Sequence, residues 1–332
     1  VVVVSIPYGL TPGYPAAPYH LDPAIGGSGD VKALALKSPA HYRHRLAHPF
    51  VPSARMVLGS LAHALILEPD EVDQRYVVLP REIANKPATK AWQAWARDAL
   101  GDADLYAGMK VTDAASLFHD TFKVRGLTVV TEADYDLAVA MRDAINRHPI
   151  ARPALSGDTE VTVRWDDPAT GAPCKGRIDA LPTTNEAVTL VDDSEAGQQG
   201  VPLSLCAVDL KTTGDASRAA WSTFALERLG MHLQAAHYMR GLSEVGHPRQ
   251  RWLFVVVEQH PPHGVAVYEL LRSSIEAGSA LCDKAYRAWS TCTEADDWPG
   301  YPEQVVGVGL SEWARSSATM AAADEYDVEP AF

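Results

Sequence analysis

Nowhere in the 332 residues do 18 apolar residues run together, so no transmembrane helix is expected. The opening VVVV is four residues long and lacks the pattern of a signal peptide. Cysteine is scarce: Cys174, Cys206, Cys282 and Cys292 show neither C-x-x-C spacing nor the density of a disulfide scaffold. A reduced, cytoplasmic setting is the expectation. No internal repeat and no low-complexity tract is visible. One further absence is local. Between Val31 and Leu67 there is no acidic residue, while Lys32, Lys37, Arg43, Arg45 and Arg55 supply five cations.

That gap qualifies the charge of the whole. A formal net charge of −13 argues against a nucleic-acid partner. Residues 294–332, however, carry nine acids against Arg315 alone, so the acidity is concentrated at one end. The basic stretch is either a solvated helical face or a surface for salt-dependent phosphate contact, and its lack of acids over 37 residues favours the second. With 47% hydrophobic residues, the chain can bury a sizeable core.

Residues 1–30, rich in Pro and Gly, predict an extended arm. Helical periodicity follows at about 28–37, with Ser28 as N-cap, and at 39–47 and 54–67. "YVVLP" (76–80) predicts a short strand, and 89–100 a helix with Trp92, Trp95 and Ala99 on one stripe. A further helix over 131–149 is capped by Thr131 and stopped before Pro149. From 159 the period changes to two. Strands are predicted at 159–165, 174–181 and 205–212, then helices at 217–226 and 229–245, strands at 251–258 and 264–271, and a helix over 273–290. Segment 186–193 reads as a strand or a flap. The sum is an α+β (α/β) core with a central mixed sheet flanked by helices, preceded by a helical N-terminal part. The expected divisions are an arm (1–30), a helical part (31–150), a catalytic core (151–292) and an acidic tail (293–332).

The stretch "CAVDLKTTG" (206–214) sets two opposite charges into an apolar strand. Isolated charges there are costly unless paired or bound to a metal. Period two puts Asp209 and Lys211 on one face, and Asp179 at the end of "GRID" can lie beside them on a neighbouring strand. Two carboxylates and the Leu210 carbonyl make an all-oxygen site suited to Mg²⁺, with Mn²⁺ as a substitute. A lysine beside such an ion can orient a water or stabilise charge on a phosphate under attack. The bland reading is a structural ion pair. Glu160 opens the first strand, as a further metal ligand or a polar strand start. Asp192 and Asp193 are rival second carboxylates without a lysine two places on. Arg177 could contact phosphate or be a solvated strand end. Thr212 and Thr213 fit either a phosphate or ordinary strand propensity.

Asp179 with Asp209-Leu210-Lys211 resembles the PD-(D/E)XK nuclease superfamily. "GRIDA", "VDLKTTGDAS" and "HLQAAHY" resemble its RecB-like branch, whose later helix carries Q-x-x-x-Y, here Gln234 and Tyr238. "YHLDPAIGGSG" (19–29), "SPAHYRH" (38–44) and "LGSLAHALILEPDEVDQRYVV" (58–78) resemble the exonuclease VIII (RecE) type of phage and prophage nuclease. Residue 178 is Ile where that pattern has Pro, and 29 residues separate Asp179 from Asp209, implying an inserted flap around 183–203. The resemblance implies a Mg²⁺-dependent 5′→3′ exodeoxyribonuclease acting on linear duplex ends in recombination or repair. His63, Asp179, Asp209 and the Leu210 carbonyl would hold metal, Lys211 would position the attacking water, and Gln234 and Tyr238 would orient the strand. It also implies a homo-oligomer, a ring around DNA, and a single-strand annealing protein as partner, in a bacterial or phage-infected cell. Rival readings are an endonuclease or single-strand nuclease on the same core, and a non-catalytic DNA-end-binding module. Some relatives carry an iron–sulfur cluster; with only Cys282 and Cys292 after the motifs, none is expected here.

Overall fold

The structure, a computed structural model, describes residues 5–26, 29–48, 52–84, 89–101, 122, 126–188, 200–310, 315–316 and 319. Three short elements come first: strand β1 (Gly9–Thr11), helix α1 (Ala16–Leu21) and strand β2 (Ile25–Gly26). Buried Ile6, Tyr19, Ala24 and Ile25 anchor them, and where an extended arm was expected β1 and β2 pair with β5 and β6. This stretch is woven into the main sheet.

Next comes helix α2 (Asp30–Lys32), which widens into a π-helical turn over Ala33–Lys37. Ser28, the expected cap, lies outside the described residues. Pro at the first position, where no backbone N–H is needed, opens α3 (Pro39–Ala47). The apolar helix α4 (Ala54–Leu67) has the predicted bounds and buries Leu58, Leu61, Ala62 and Leu65. Strand β3 (Tyr76–Leu79) follows. In α5 (Lys90–Leu100) the fully buried stripe is Trp92, Ala96 and Leu100, with Trp95 and Ala99 beside it. Strand β4 (Thr128–Thr131) runs parallel to β3 and leads into α6 (Glu132–Arg147), whose first turn is capped by Thr131 accepting the Asp134 N–H.

The second half builds the sheet. Strands β5 (Asp158–Asp166) and β6 (Pro173–Leu181) form a long antiparallel pair. Where an inserted flap was expected, β7 (Ala187–Val188) pairs antiparallel with β8 (Val201–Pro202). Asp192 and Asp193 lie outside the described residues. Strand β9 (Cys206–Thr213) is followed by a helical segment that turns π-helical over Trp221–Arg228, and then by α7 (Met231–Glu244). Strands β10 (Arg251–Glu258) and β11 (Val265–Glu269) lead into α8 (Arg272–Ala295), longer than its pattern predicted.

The seven-stranded sheet has the order β1-β5-β6-β9-β10-β11, with β2 beside β6. β9 and β10 are parallel and β10 and β11 antiparallel, so the sheet is mixed as expected. Both of its faces are covered. Ala207, Trp252 and Phe254 pack toward α7 and α8, whereas Val208, Leu210, Val255 and Val257 pack with α4 and α6. This is why β9 and β10 read as near-continuous apolar runs. Odd-numbered Asp209 and Lys211 therefore share the α7 side of β9 with Ala207.

Candidate functional site

The site forms where β6 and β9 part company. Their pairing has one register pair, Ala180 with Val208. One step on, the Leu210 N–H donates to Asp179 Oδ2 at 2.6 Å, so a carboxylate takes the place of a strand carbonyl. On its other side β6 pairs with β5 at Thr159 with Ala180 and again from Val161 with Ile178, and the position skipped between them is that of Glu160 and Asp179. Glu160 has φ of +50°, a left-handed conformation that costs a non-glycine residue about 1 kcal/mol or more. The strand is kinked at this one acidic residue.

His63 reaches the same point from α4. Its Nδ1 lies 3.8 Å from Asp179 Oδ2. Gly59, one turn back, lets α4 sit this close: a Cβ there would be 2.9 Å from Thr212 Oγ1 on β9. One potential ligand atom from each of His63, Glu160 and Asp179 lies within 4.8 Å of the other two. Burial, then the charge of Lys211, pushes the His63 imidazole down to about 3, so it is neutral at pH 7 with a lone pair to offer. Burial, then the charge of Asp209, holds the Asp179 carboxyl well above the usual carboxylate range. Burial also raises Glu160, against the opposing pull of Arg177. Neutral His63 does not compensate these carboxylates, and a small divalent cation would. The donor set, two carboxylates and one imidazole, fits a divalent metal ion.

Lys211 and Asp209 stand beside this cluster. The Lys211 ammonium is in direct contact with Asp209 Oδ2, while Gln234 Nε2 on α7 donates to Asp209 Oδ1 at 3.0 Å. Asp209 is 1% exposed and has both oxygens engaged. Burial works against the charge of Lys211, yet Asp209 and Asp179 together raise its pKa. Lys211 Nζ also lies 3.4 Å from the Leu210 carbonyl oxygen. Expectation put Asp209 among the metal ligands; in the structure the potential ligand atoms grouped together are those of His63, Glu160 and Asp179, with Asp209 holding Lys211. Tyr238, one turn beyond Gln234, is buried against Gly176, where a Cβ would lie 2.7 Å from its Cδ1.

The other candidates are held within the protein. Arg177 pairs with Glu160 and, at 3.4 Å, with Glu68, and donates to the Tyr14 carbonyl at 2.9 Å. Thr212 Oγ1 accepts from Gln259 Nε2 at 3.2 Å, and Thr213 Oγ1 donates to the Asp215 carbonyl at 3.0 Å. Of the basic stretch, Lys37, Arg43, Arg45 and Arg55 are exposed, and Lys32 is half-buried with its stem against Gly230. Sequence reading missed Glu68, Arg75 and Gln259. Glu68 closes α4 five residues after His63, a spacing that gave no motif, and it also pairs with Arg75 at 2.7 Å. Gln259 ties β9 to the Arg55 carbonyl, a contact across 204 positions that no local pattern announces.

A mixed sheet flanked by helices, with carboxylates gathered where two strands splay and a lysine beside them, defines a PD-(D/E)XK-like protein with a candidate metal centre. The chain belongs to the family described as PDDEXK-like domain of unknown function (DUF3799), whose model matches residues 30–192 and 202–307. A crystal structure of a "putative exonuclease" from Eubacterium rectale has the same fold, with a TM-score of 0.53 and 11% identity over 89% of this chain and 93% of that one. No curated protein matches the chain. No helix among the described residues is long and apolar enough to cross a membrane.

Proposed function

We propose that this chain is a divalent-metal-dependent deoxyribonuclease that removes nucleotides from the ends of linear duplex DNA. One observation carries the reading: His63, Glu160 and Asp179 face a common point beside a half-buried lysine that is itself positioned by a carboxylate. A structural ion pair needs no third and fourth acid around it. The relative named as an exonuclease, with its shared fold, supports the choice of nucleic acid as substrate.

When bound, Mg²⁺ supplies Lewis acidity at the scissile phosphate and lowers the pKa of a coordinated water. His63, Glu160 and Asp179 would hold it, with the Leu210 carbonyl within reach of the same cleft. Lys211 keeps its proton and orients the attacking water or stabilises charge growing on a phosphate oxygen. Asp209 fixes the ammonium, and Gln234 fixes Asp209, so a residue on α7 controls the angle of a charge on β9. The exposed Lys37, Arg43, Arg45 and Arg55 extend the surface that meets the DNA backbone. By likeness to exonuclease VIII, the reading extends to 5′→3′ polarity, a homo-oligomeric ring and a single-strand annealing partner.

The test digests end-labelled linear duplex and closed circular duplex in parallel, with Mg²⁺ and with EDTA. Nucleotide release from the linear DNA alone, lost in EDTA and reduced about a hundredfold or more in Lys211→Ala, is expected. Degradation of the circle would overturn the requirement for an end, and equal release by Lys211→Ala would remove the lysine from the chemistry. DNA binding without any hydrolysis by the native protein would leave an end-binding module.

A further inference from the structure

Of the five cations in the acid-free stretch, four have an evident setting. Arg43 lies over the Trp298 ring at 5.4 Å, Arg45 pairs with Asp30 at 3.4 Å, and Lys37 and Arg55 are exposed. Lys32 differs. It ends α2 half-buried, and its stem runs over Gly230, the residue that precedes α7; Cε and Cδ lie 3.6 and 3.9 Å from where a Cβ on Gly230 would stand. Among the described residues it makes no hydrogen bond and no ion pair. The acid nearest in sequence, Asp30, is already used: its carboxylate accepts the Gly26 N–H at 3.0 Å and pairs with Arg45. The charges that act on Lys32 are Lys211, then Asp209, then Arg45, and Asp209 is itself committed to Lys211 and Gln234.

A half-buried ammonium with no partner is unfavourable unless an anion joins it. Gly230 lies one turn before Gln234 on α7, and Gln234 holds Asp209 against Lys211, so Lys32 and Lys211 stand by the same end of α7, a setting for phosphate. We propose that Lys32 is a second phosphate-contacting lysine of the site, binding a phosphate next to the one served by Lys211. The proposal rests on the reading of this cleft as a DNA-processing site. Burial, then Lys211, pushes the Lys32 ammonium down to about 8, and a bound phosphate would hold it charged. The contact would also explain why this cation points inward while its neighbours stay in solvent.

Lys32→Met keeps the apolar stem over Gly230 and removes the charge; Lys32→Arg keeps the charge. Full-length native protein and both variants are compared on a fluorescein-labelled linear duplex, by hydrolysis in Mg²⁺ and by equilibrium binding in Ca²⁺. Lys32→Met is expected to weaken duplex binding and to lower kcat/KM about ten- to a hundredfold, mainly through KM, with a thermal midpoint no lower than native. It should also reduce the slope of log binding against log salt by about one phosphate contact, and Lys32→Arg should recover most of the loss. Binding, KM and salt slope equal to native in Lys32→Met would overturn the proposal. A native protein that binds duplex but does not hydrolyse it would sink the nuclease reading, and the Ca²⁺ binding data would still decide the role of Lys32.

Discussion

At the scale of single residues, the site trades stability for chemistry. Asp179 is 9% exposed, its carboxylate accepts the Leu210 N–H, and burial and Asp209 both disfavour its charge. Its carboxyl therefore titrates at higher pH in the folded chain than in the unfolded one. Such a group contributes stability that is complete below about pH 4 and is lost as pH rises through the folded value. In metal-free protein, Asp179→Asn is expected to raise the thermal midpoint at pH 8 and to change it little at pH 4, while abolishing metal-dependent hydrolysis. Thermal melts in EDTA at the two pH values check this; a lower midpoint at pH 8 would count against an unsatisfied carboxylate. This residue's importance was legible beforehand, because an aspartate at the end of an apolar strand demands a reason. The kink at Glu160 was not, since left-handed backbone at a glutamate has no signature in residue type.

At the scale of elements, the site depends on how closely α4 approaches β9. Gly59 lies four residues before His63 on α4, and the absence of a side chain there lets the helix rest against Thr212. Gly59→Val is expected to push α4 away from β9 and to draw His63 off Asp179. Metal affinity, measured by titration calorimetry with Mn²⁺, should fall about tenfold or more, because a ligand held by packing is lost when the packing shifts. The overpacking itself should cost about 1–3 kcal/mol of stability. Unchanged Mn²⁺ affinity would separate His63 from the metal. Helix α4 was predicted with its observed bounds because its apolar spacing is strong and its ends are clear. The segments 28–37 and 217–226 were predicted as plain helices, and both contain π-helical turns. A π-turn follows from tertiary packing around one inserted residue, which the 3.6 period does not reveal. For the N-terminal arm the misreading had another cause. Pro and Gly do mark irregular backbone, yet β1 and β2 gain their hydrogen bonds from β5 and β6, more than 140 residues away.

At the scale of the whole molecule, clustered buried acids predict that metal and fold support each other. An ion that binds the folded chain and not the unfolded one adds RT ln(1 + [L]/Kd), about 2.7 kcal/mol at a hundredfold excess over Kd. Millimolar Mg²⁺ or Mn²⁺ is expected to raise the thermal midpoint by several degrees, reversibly with EDTA, and to have no such effect on His63→Ala with Asp179→Asn. A thermal-shift titration settles it; a midpoint indifferent to both ions would argue that the acids serve the fold alone. The charge of the whole is equally informative. The chain is acidic, but Lys37, Arg43, Arg45 and Arg55 are each exposed along the N-terminal stretch that also carries Lys32.

The amino-acid order alone determined the alternation of helix and strand, the mixed sheet, and the candidates Glu160, Asp179, Asp209 and Lys211, because periodicity and misplaced charge are local properties; His63 entered by resemblance to exonuclease VIII-type nucleases. Which of those groups face one another was decided only by tertiary structure. The splay of β6 from β9, the turn of Glu160 toward Asp179 and the inward reach of Lys32 all depend on contacts between segments far apart in the chain. No neighbouring residues encode them, so only the folded chain shows Glu160 grouped with His63 and Asp179, and Asp209 in contact with Lys211.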